Sequence, residues 1–139
     1  MSQVACVGIL VADVWGRPID SQPEHGRLML VDEIGLGVGG CAANTGLGLA
    51  KMGVDTAIIG KVGDDGFGAF VRETIGAHGI DTSGIRTTTA CGTSATMIMI
   101  DSAGERTFMH CIGANATMRP KDIDPAQLAG AQIFHFGGA

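Results

Sequence analysis

The chain has 139 residues, 23 of them glycine, with 14 acidic and 9 basic side chains and a formal charge of −5. An apolar share of 45% with only 17% charged residues excludes a disordered chain, and glycines without a three-residue period exclude a collagen-like one. The acidic balance, one Trp and no Tyr argue against a nucleic-acid or anionic-membrane partner, which would call for basic clusters or a stacking platform.

Val4–Val11 is nearly all apolar, as a parallel strand covered on both faces should be, and Asp13 stands at its C-terminal end. Residues 14–26 are mixed, with Pro18, Pro23 and Gly26 marking turns. Arg27–Ile34 reads as a second extended segment, followed by the glycine-rich stretch Gly35–Gly40. A helix is predicted over Cys41–Met52, closed by Gly53; its small residues suggest close packing against a sheet or ligand. Thr56–Val62 reads as a buried strand and Gly63–Gly66 as a turn, in which Asp65 can cap a helix from Phe67 to His78. To this point the order is that of a parallel α/β sheet.

The pattern then changes. Ile85–Thr89, Thr93–Asp101 and Glu105–Ile112 are extended runs expected to pair antiparallel, with Ser102-Ala103-Gly104 as the hairpin between the last two. Gly113–Ala116 is a small-residue loop, Pro120–Leu128 carries short helical turns, and Ala131–Phe136 is a strand. The chain is therefore expected to be truncated, because a complete domain seldom stops where a βα crossover should begin.

Ser2 and Gln3 are neutral, so Val4–Ala12 lacks the positive flank of a secretory signal, and the run is too short to span a bilayer. Cys6, Cys41, Cys91 and Cys111 lie too far apart for zinc spacing. Reduced thiols and a cytoplasmic location are expected, with no membrane and no nucleic acid as partner.

Three readings stand for the glycine-rich segment. Gly35-x-Gly37-x-x-Gly40, with Asp55 further on, formally matches a dinucleotide fingerprint and so a nicotinamide-dependent oxidoreductase. The glycines could instead do no more than turn a strand tightly into a packed helix. In the third reading, Gly39 and Gly40 let backbone approach a ligand. Asn44, in the first turn of the helix, then offers an amide that both donates and accepts, which suits sugar hydroxyls.

Gly39-Gly40-Cys41-Ala42-Ala43-Asn44 with its continuation to Gly53 resembles the first signature of the ribokinase-like carbohydrate kinases, the phosphofructokinase-B family. Val11-Ala12-Asp13, Val62-Gly63-Asp64-Asp65-x-x-Gly68, the hairpin Thr93–Ile112 and Gly113-Ala114-Asn115-Ala116 follow in the family's order. The resemblance covers essentially the whole chain as the N-terminal part, 1–139, of one ribokinase-like domain. It implies a parallel α/β sheet with helices on both faces, and a small antiparallel lid with strands within about 14–38 and 91–113. The implied activity is transfer of the ATP γ-phosphoryl group, with Mg²⁺, to a hydroxymethyl group of a sugar or related substrate. The implied partner is a second copy of the chain, joined through the lid strands. By the same resemblance Asp13, Gly39, Gly40 and Asn44 would hold sugar hydroxyls. Thr96, Ile98, Phe108 and His110 would face the sugar from the lid, with Met97 and Met99 turned away.

Two departures bear on the chemistry. Ribokinase has Lys where this chain has Cys41 and Asn where it has Val11, which implies a sugar other than ribose. The family's second signature, Asp-Thr-x-Gly-Ala-Gly-Asp, does not occur in these residues. It carries the catalytic base and the anion hole, so no catalytic or metal-binding residue is assigned within 1–139, and the chain alone is expected to be inactive. A non-catalytic binding or assembly module is the competing reading.

Overall fold

The computed structural model describes residues 2–138 and contains two four-stranded sheets. The first holds β1 (Val4–Gly8), β4 (Thr56–Gly63), β5 (Asp81–Thr88) and β8 (Ile133–Gly137) in the order β5-β4-β1-β8, all parallel. The second holds β2 (Val11–Arg17), β3 (Glu33–Gly39), β6 (Ala95–Ile100) and β7 (Arg106–Cys111) in the order β3-β2-β6-β7. Here β3 and β7 are antiparallel to their neighbours, while β2 and β6 run parallel, so the lid sheet is mixed.

Alternation along β1 divides the core. Val4 and Cys6 point to the face covered by α1 (Cys41–Lys51) and α2 (Gly66–Gly76), where Ala42, Ala43, Ile58, Val71 and Ile75 are buried. Ala5 and Val7 point to the other face with Ile59, beneath Met118, Ile123, Leu128 and Ala131. That second face is covered by the 3₁₀ turns Gly113–Thr117 and Pro120–Asp122 and the short α3 (Pro125–Leu128). The small residues of α1 have a packing cause: a Cβ at Gly46 would lie 2.5 Å from Ile58 Cδ1. Glycine inside a helix costs about 1 kcal/mol relative to alanine, and here it lets the helix sit on β4.

The first apolar run does not form one strand. It breaks at Gly8, where φ is +141° and a Cβ would meet the Gly137 carbonyl at 2.2 Å. The Asn115 side chain then takes both backbone groups of Leu10: Leu10 N–H donates to Oδ1 at 3.2 Å and Nδ2 donates to the Leu10 carbonyl at 2.9 Å. The chain leaves the first sheet there and enters the second. Asp13 is consequently the third residue of β2, not the end of strand one.

Two other expectations are corrected. Only Glu33 and Ile34 of the segment 27–34 are in a strand, which continues through Gly35–Gly39, and Leu28 and Leu30 are exposed without a cross-strand partner. The run at 85–89 belongs to β5, which pairs parallel with β4 in the first sheet rather than antiparallel in the second. The helices fall close to their predicted positions: α1 is closed by Gly53 at φ +82°, and Asp65 caps α2 by accepting from Gly68 N–H at 2.8 Å.

Candidate functional site

Strand register builds one continuous row across the lid. Gly37 on β3 lies opposite Asp13 on β2, Asp13 opposite Thr96 on β6, and Thr96 opposite His110 on β7. Neighbours in a row point to the same face, so the three polar side chains share it. The next row, two residues along each strand, is Gly35, Trp15, Ile98 and Phe108. Met97 and Met99 occupy alternate positions on β6 and therefore point to the opposite face.

The alternating glycines of β3 make this face a trough. A Cβ at Gly39 would lie 2.1 Å from Asp13 Oδ2, and one at Gly35 would lie 2.1 Å from Trp15 Cζ2. Asp13 and Trp15 thus lie over bare backbone, while Gly37 between them has open space above it. Glycine in a strand interior weakens it and marks such close approaches. The pattern Gly35-x-Gly37-x-Gly39 was the available signal for Trp15, which sequence reasoning missed, whereas the parity that sets Thr96, Ile98, Phe108 and His110 against Met97 and Met99 is as expected.

Thr96 is buried, and its hydroxyl is 3.0 Å from His110 Nδ1. Burial pushes the Asp13 carboxyl above the ordinary aspartate value, against the lowering pull of the Thr96 hydrogen bond and of His110. Ile98 is half-buried, and Phe108 is exposed with the Arg106 guanidinium 5.7 Å from its ring centroid.

Gly39 ends β3 and Gly40 opens α1. Gly40 has φ +95°, and a Cβ there would meet the Ile9 carbonyl oxygen at 2.3 Å, so the residue is tied to glycine twice over. This turn joins the trough to the first turn of α1, where Asn44 is exposed and its N–H donates to the Gly40 carbonyl. A cleft of about 620 Å³ opens beside the lid at the C-terminal ends of β1 and β8; His110, Asn115, Arg119 and Phe136 are among its walls.

The lid is anchored to the first sheet by Asp65. Its carboxylate accepts from Gly68 N–H, from Thr93 N–H and from Thr93 Oγ1 at 2.6–2.8 Å, while Thr93 Oγ1 in turn accepts from Gly63 N–H. Ser94 donates to the Ile112 carbonyl and accepts from Asn115 N–H, closing the other end of the β6–β7 hairpin. Asp65 thus both caps α2 and tethers the lid, while its neighbour Asp64 is exposed.

The dinucleotide reading does not survive. Gly35 and Gly37 are paired with Trp15 and Asp13 inside a sheet, and Asp55 precedes β4 instead of ending a strand.

Comparison with known proteins decides the family: the model of the pfkB family of carbohydrate kinases matches residues 1–139. The chain belongs to this family. A fructokinase of Klebsiella pneumoniae is 38% identical over 99 residues, which is 70% of this chain and 32% of the relative. Among solved structures, a putative ribokinase II from E. coli, in complex with ATP and Mg²⁺, superposes with a TM-score of 0.84 at 25% identity, over 98% of this chain and 42% of that one. An Arabidopsis thaliana ribokinase complexed with ribose and ATP gives a TM-score of 0.73 at 25% identity, over 82% and 37%. The pfkB chain described here therefore spans less than half the length of each of these relatives, and its fold is the ribokinase-like α/β fold.

Proposed function

We propose that the chain is the sugar-binding portion of an ATP-dependent carbohydrate kinase, one that phosphorylates a hydroxymethyl group of a sugar or related substrate. The row of Asp13, Thr96 and His110 above a bare glycine face carries this reading. It joins one carboxylate, one hydroxyl and one imidazole to an apolar border of Trp15, Ile98 and Phe108. Sugars present this combination of hydroxyls and C–H faces.

In the proposed site Asp13 accepts from sugar hydroxyls. Gly39 and Gly40 bring backbone against the sugar, Asn44 reaches it from α1, and Thr96, Ile98, Phe108 and His110 cover it from the lid. Closure of such a lid would exclude water that could otherwise take the phosphoryl group. ATP is the proposed donor, by likeness to the two relatives complexed with it, and Mg²⁺ its companion, by likeness to the E. coli one complexed with both. Among the described residues no group of three or more His, Cys, Asp and Glu side chains could hold a metal ion.

A homodimer through the lid is supported by Ile34, Leu36, Met97 and Met109, all exposed on the lid face opposite the trough. A cytoplasmic setting is part of the proposal. Among the described residues no helix is long and apolar enough to cross a membrane, and the four cysteines are free.

The test is a titration with a panel of ketoses and aldoses that includes fructose and ribose, followed through the fluorescence of the single tryptophan, Trp15. Saturable quenching by a sugar, lost in Asp13→Ala, is expected; no response to any sugar would overturn the reading. In a coupled ADP-release assay with ATP and Mg²⁺ the 139-residue chain should show no turnover.

A further inference from the structure

Strands β2 and β6 set Asp13 beside Thr96, and nothing local fixes how one slides along the other. They come from distant parts of the chain and pair parallel, with no turn between them to hold a register. A slip of one residue would turn Asp13 or Thr96 to the opposite face. The register must therefore be held from outside the pair.

Asn115 stands where it can hold both strands. Its side chain takes Leu10, the residue just before β2: Leu10 N–H donates to Oδ1 at 3.2 Å, and Nδ2 donates to the Leu10 carbonyl at 2.9 Å. An amide can serve both groups of one residue because it donates and accepts from adjacent atoms. Its backbone N–H donates to Oγ of Ser94, the residue just before β6, at 3.1 Å. Ser94 Oγ donates in turn to the Ile112 carbonyl, and the Ser94 carbonyl accepts from Ala12 N–H at 2.9 Å. The turn that carries Asn115 is itself pressed against the lead-in to β6. Ala114 N–H donates to the Gly92 carbonyl at 2.9 Å, and a Cβ at Gly113 would lie 2.6 Å from that oxygen. Leu10, Ser94 and Ala114 are fully buried, so water does not replace these partners.

We propose that Asn115 is a positioning residue of the sugar site: by gripping Leu10 and Ser94 at once it sets the register of β2 against β6, and so keeps Asp13 and Thr96 side by side on one face. Asn115 acts through these two strands and needs no contact with the sugar. The ligand rests on the kinase reading; the register clamp does not. A residue that only stabilised the core would, when removed, loosen the β1–β4 pair as much as the lid. A register clamp loosens the β2–β6 pair selectively.

Amide hydrogen exchange of the ¹⁵N-labelled 139-residue chain separates the two. In Asn115→Ala the amides of Ala12–Gly16 and Thr96–Met99 should exchange at least tenfold faster relative to those of Cys6, Val7, Ile58 and Ile59. Ser94→Ala, which leaves the Asn115 side chain in place, should show the same selective pattern and carries the test if Asn115→Ala does not fold. Acceleration shared equally by both sheets, or none in β2 and β6, overturns the clamp whatever sugars do. In the Trp15 fluorescence titration with the best sugar of the panel, each variant that folds should bind at least tenfold more weakly. The two substitutions together should cost less than the sum of their separate effects, since they break one clamp. Selective loosening with unchanged affinity overturns the positioning role alone. Failure of every sugar to bind the unmodified chain overturns that role together with the kinase reading, and the exchange pattern still decides the clamp.

Discussion

The carboxylate of Asp13 occupies the space that a side chain at Gly39 would need, with Oδ2 2.1 Å from the position of the absent Cβ. The glycine is therefore part of the acid's environment, and the two residues act as one feature of the site. Gly39 does not have a positive φ, so its backbone tolerates alanine. Gly39→Ala should leave the fold intact and push the Asp13 carboxylate aside. Sugar affinity should fall nearly as far as in Asp13→Ala, where losing a charged hydrogen-bond partner costs roughly 1.5–3 kcal/mol, more than tenfold. Trp15 fluorescence titration and a parallel melting curve separate the two effects.

Asp13 should also be a cost to stability. Its carboxyl is raised by burial, so the folded state holds the proton more tightly than the unfolded one. For a raised pKa the stabilising contribution is present at low pH and is lost as pH rises through the folded value. Asp13→Asn should therefore raise Tm slightly at neutral pH while weakening sugar binding. The gain should be small, since the group is only partly buried. A lower Tm in Asp13→Asn would contradict this account.

Asp65 has the opposite sign. Burial raises its carboxyl, but the hydrogen bonds from Thr93 Oγ1 and from the N–H groups of Thr93, Gly68 and Phe67 outweigh that and hold it below the usual carboxylate range. Its contribution is present above the unfolded value, ~3.9, and is lost as pH falls through the lower folded one. Asp122, held low by the Lys61 ammonium 2.8 Å away, behaves alike. Stability should stay level on acidification to about pH 4 and then fall. Asp65→Asn and Asp122→Asn should each flatten that fall in urea titrations across pH.

Asn115 substitutes for a strand neighbour at Leu10. Asn115→Ala would leave a buried backbone N–H and C=O without their partner, at roughly 1–3 kcal/mol for each group left unsatisfied. Asn115→Asp keeps the acceptor for Leu10 N–H and turns a second oxygen on the Leu10 carbonyl, so it should be no better. Urea unfolding of both variants checks this; a change below about 0.5 kcal/mol in Asn115→Ala would remove the clamp from the account.

Helices and buried strands were legible because their signals are local. Asp65 before Phe67, Gly53 after Met52 and the unbroken apolar run of β4 specify elements without reference to the rest of the chain. The lid was legible only in part. The β6–β7 hairpin pairs sequence neighbours, whereas β2 pairs β6 across some eighty intervening residues, and parallel pairing leaves no short-range mark. The break at Gly8–Leu10 was hidden for the same reason: the residue that ends β1 is Asn115, far along the chain. Trp15 was passed over because its partner is the absence of a side chain at Gly35.

The sequence by itself determined the family, the α/β class and the short list of polar residues with glycines beside them, because composition, periodicity and motif order are properties of the chain. Tertiary structure alone decided which of those residues face one another. Asp13, Thr96 and His110 come onto one row only through the register of three strands, and a shift of one residue in any of them would turn its side chain to the opposite face.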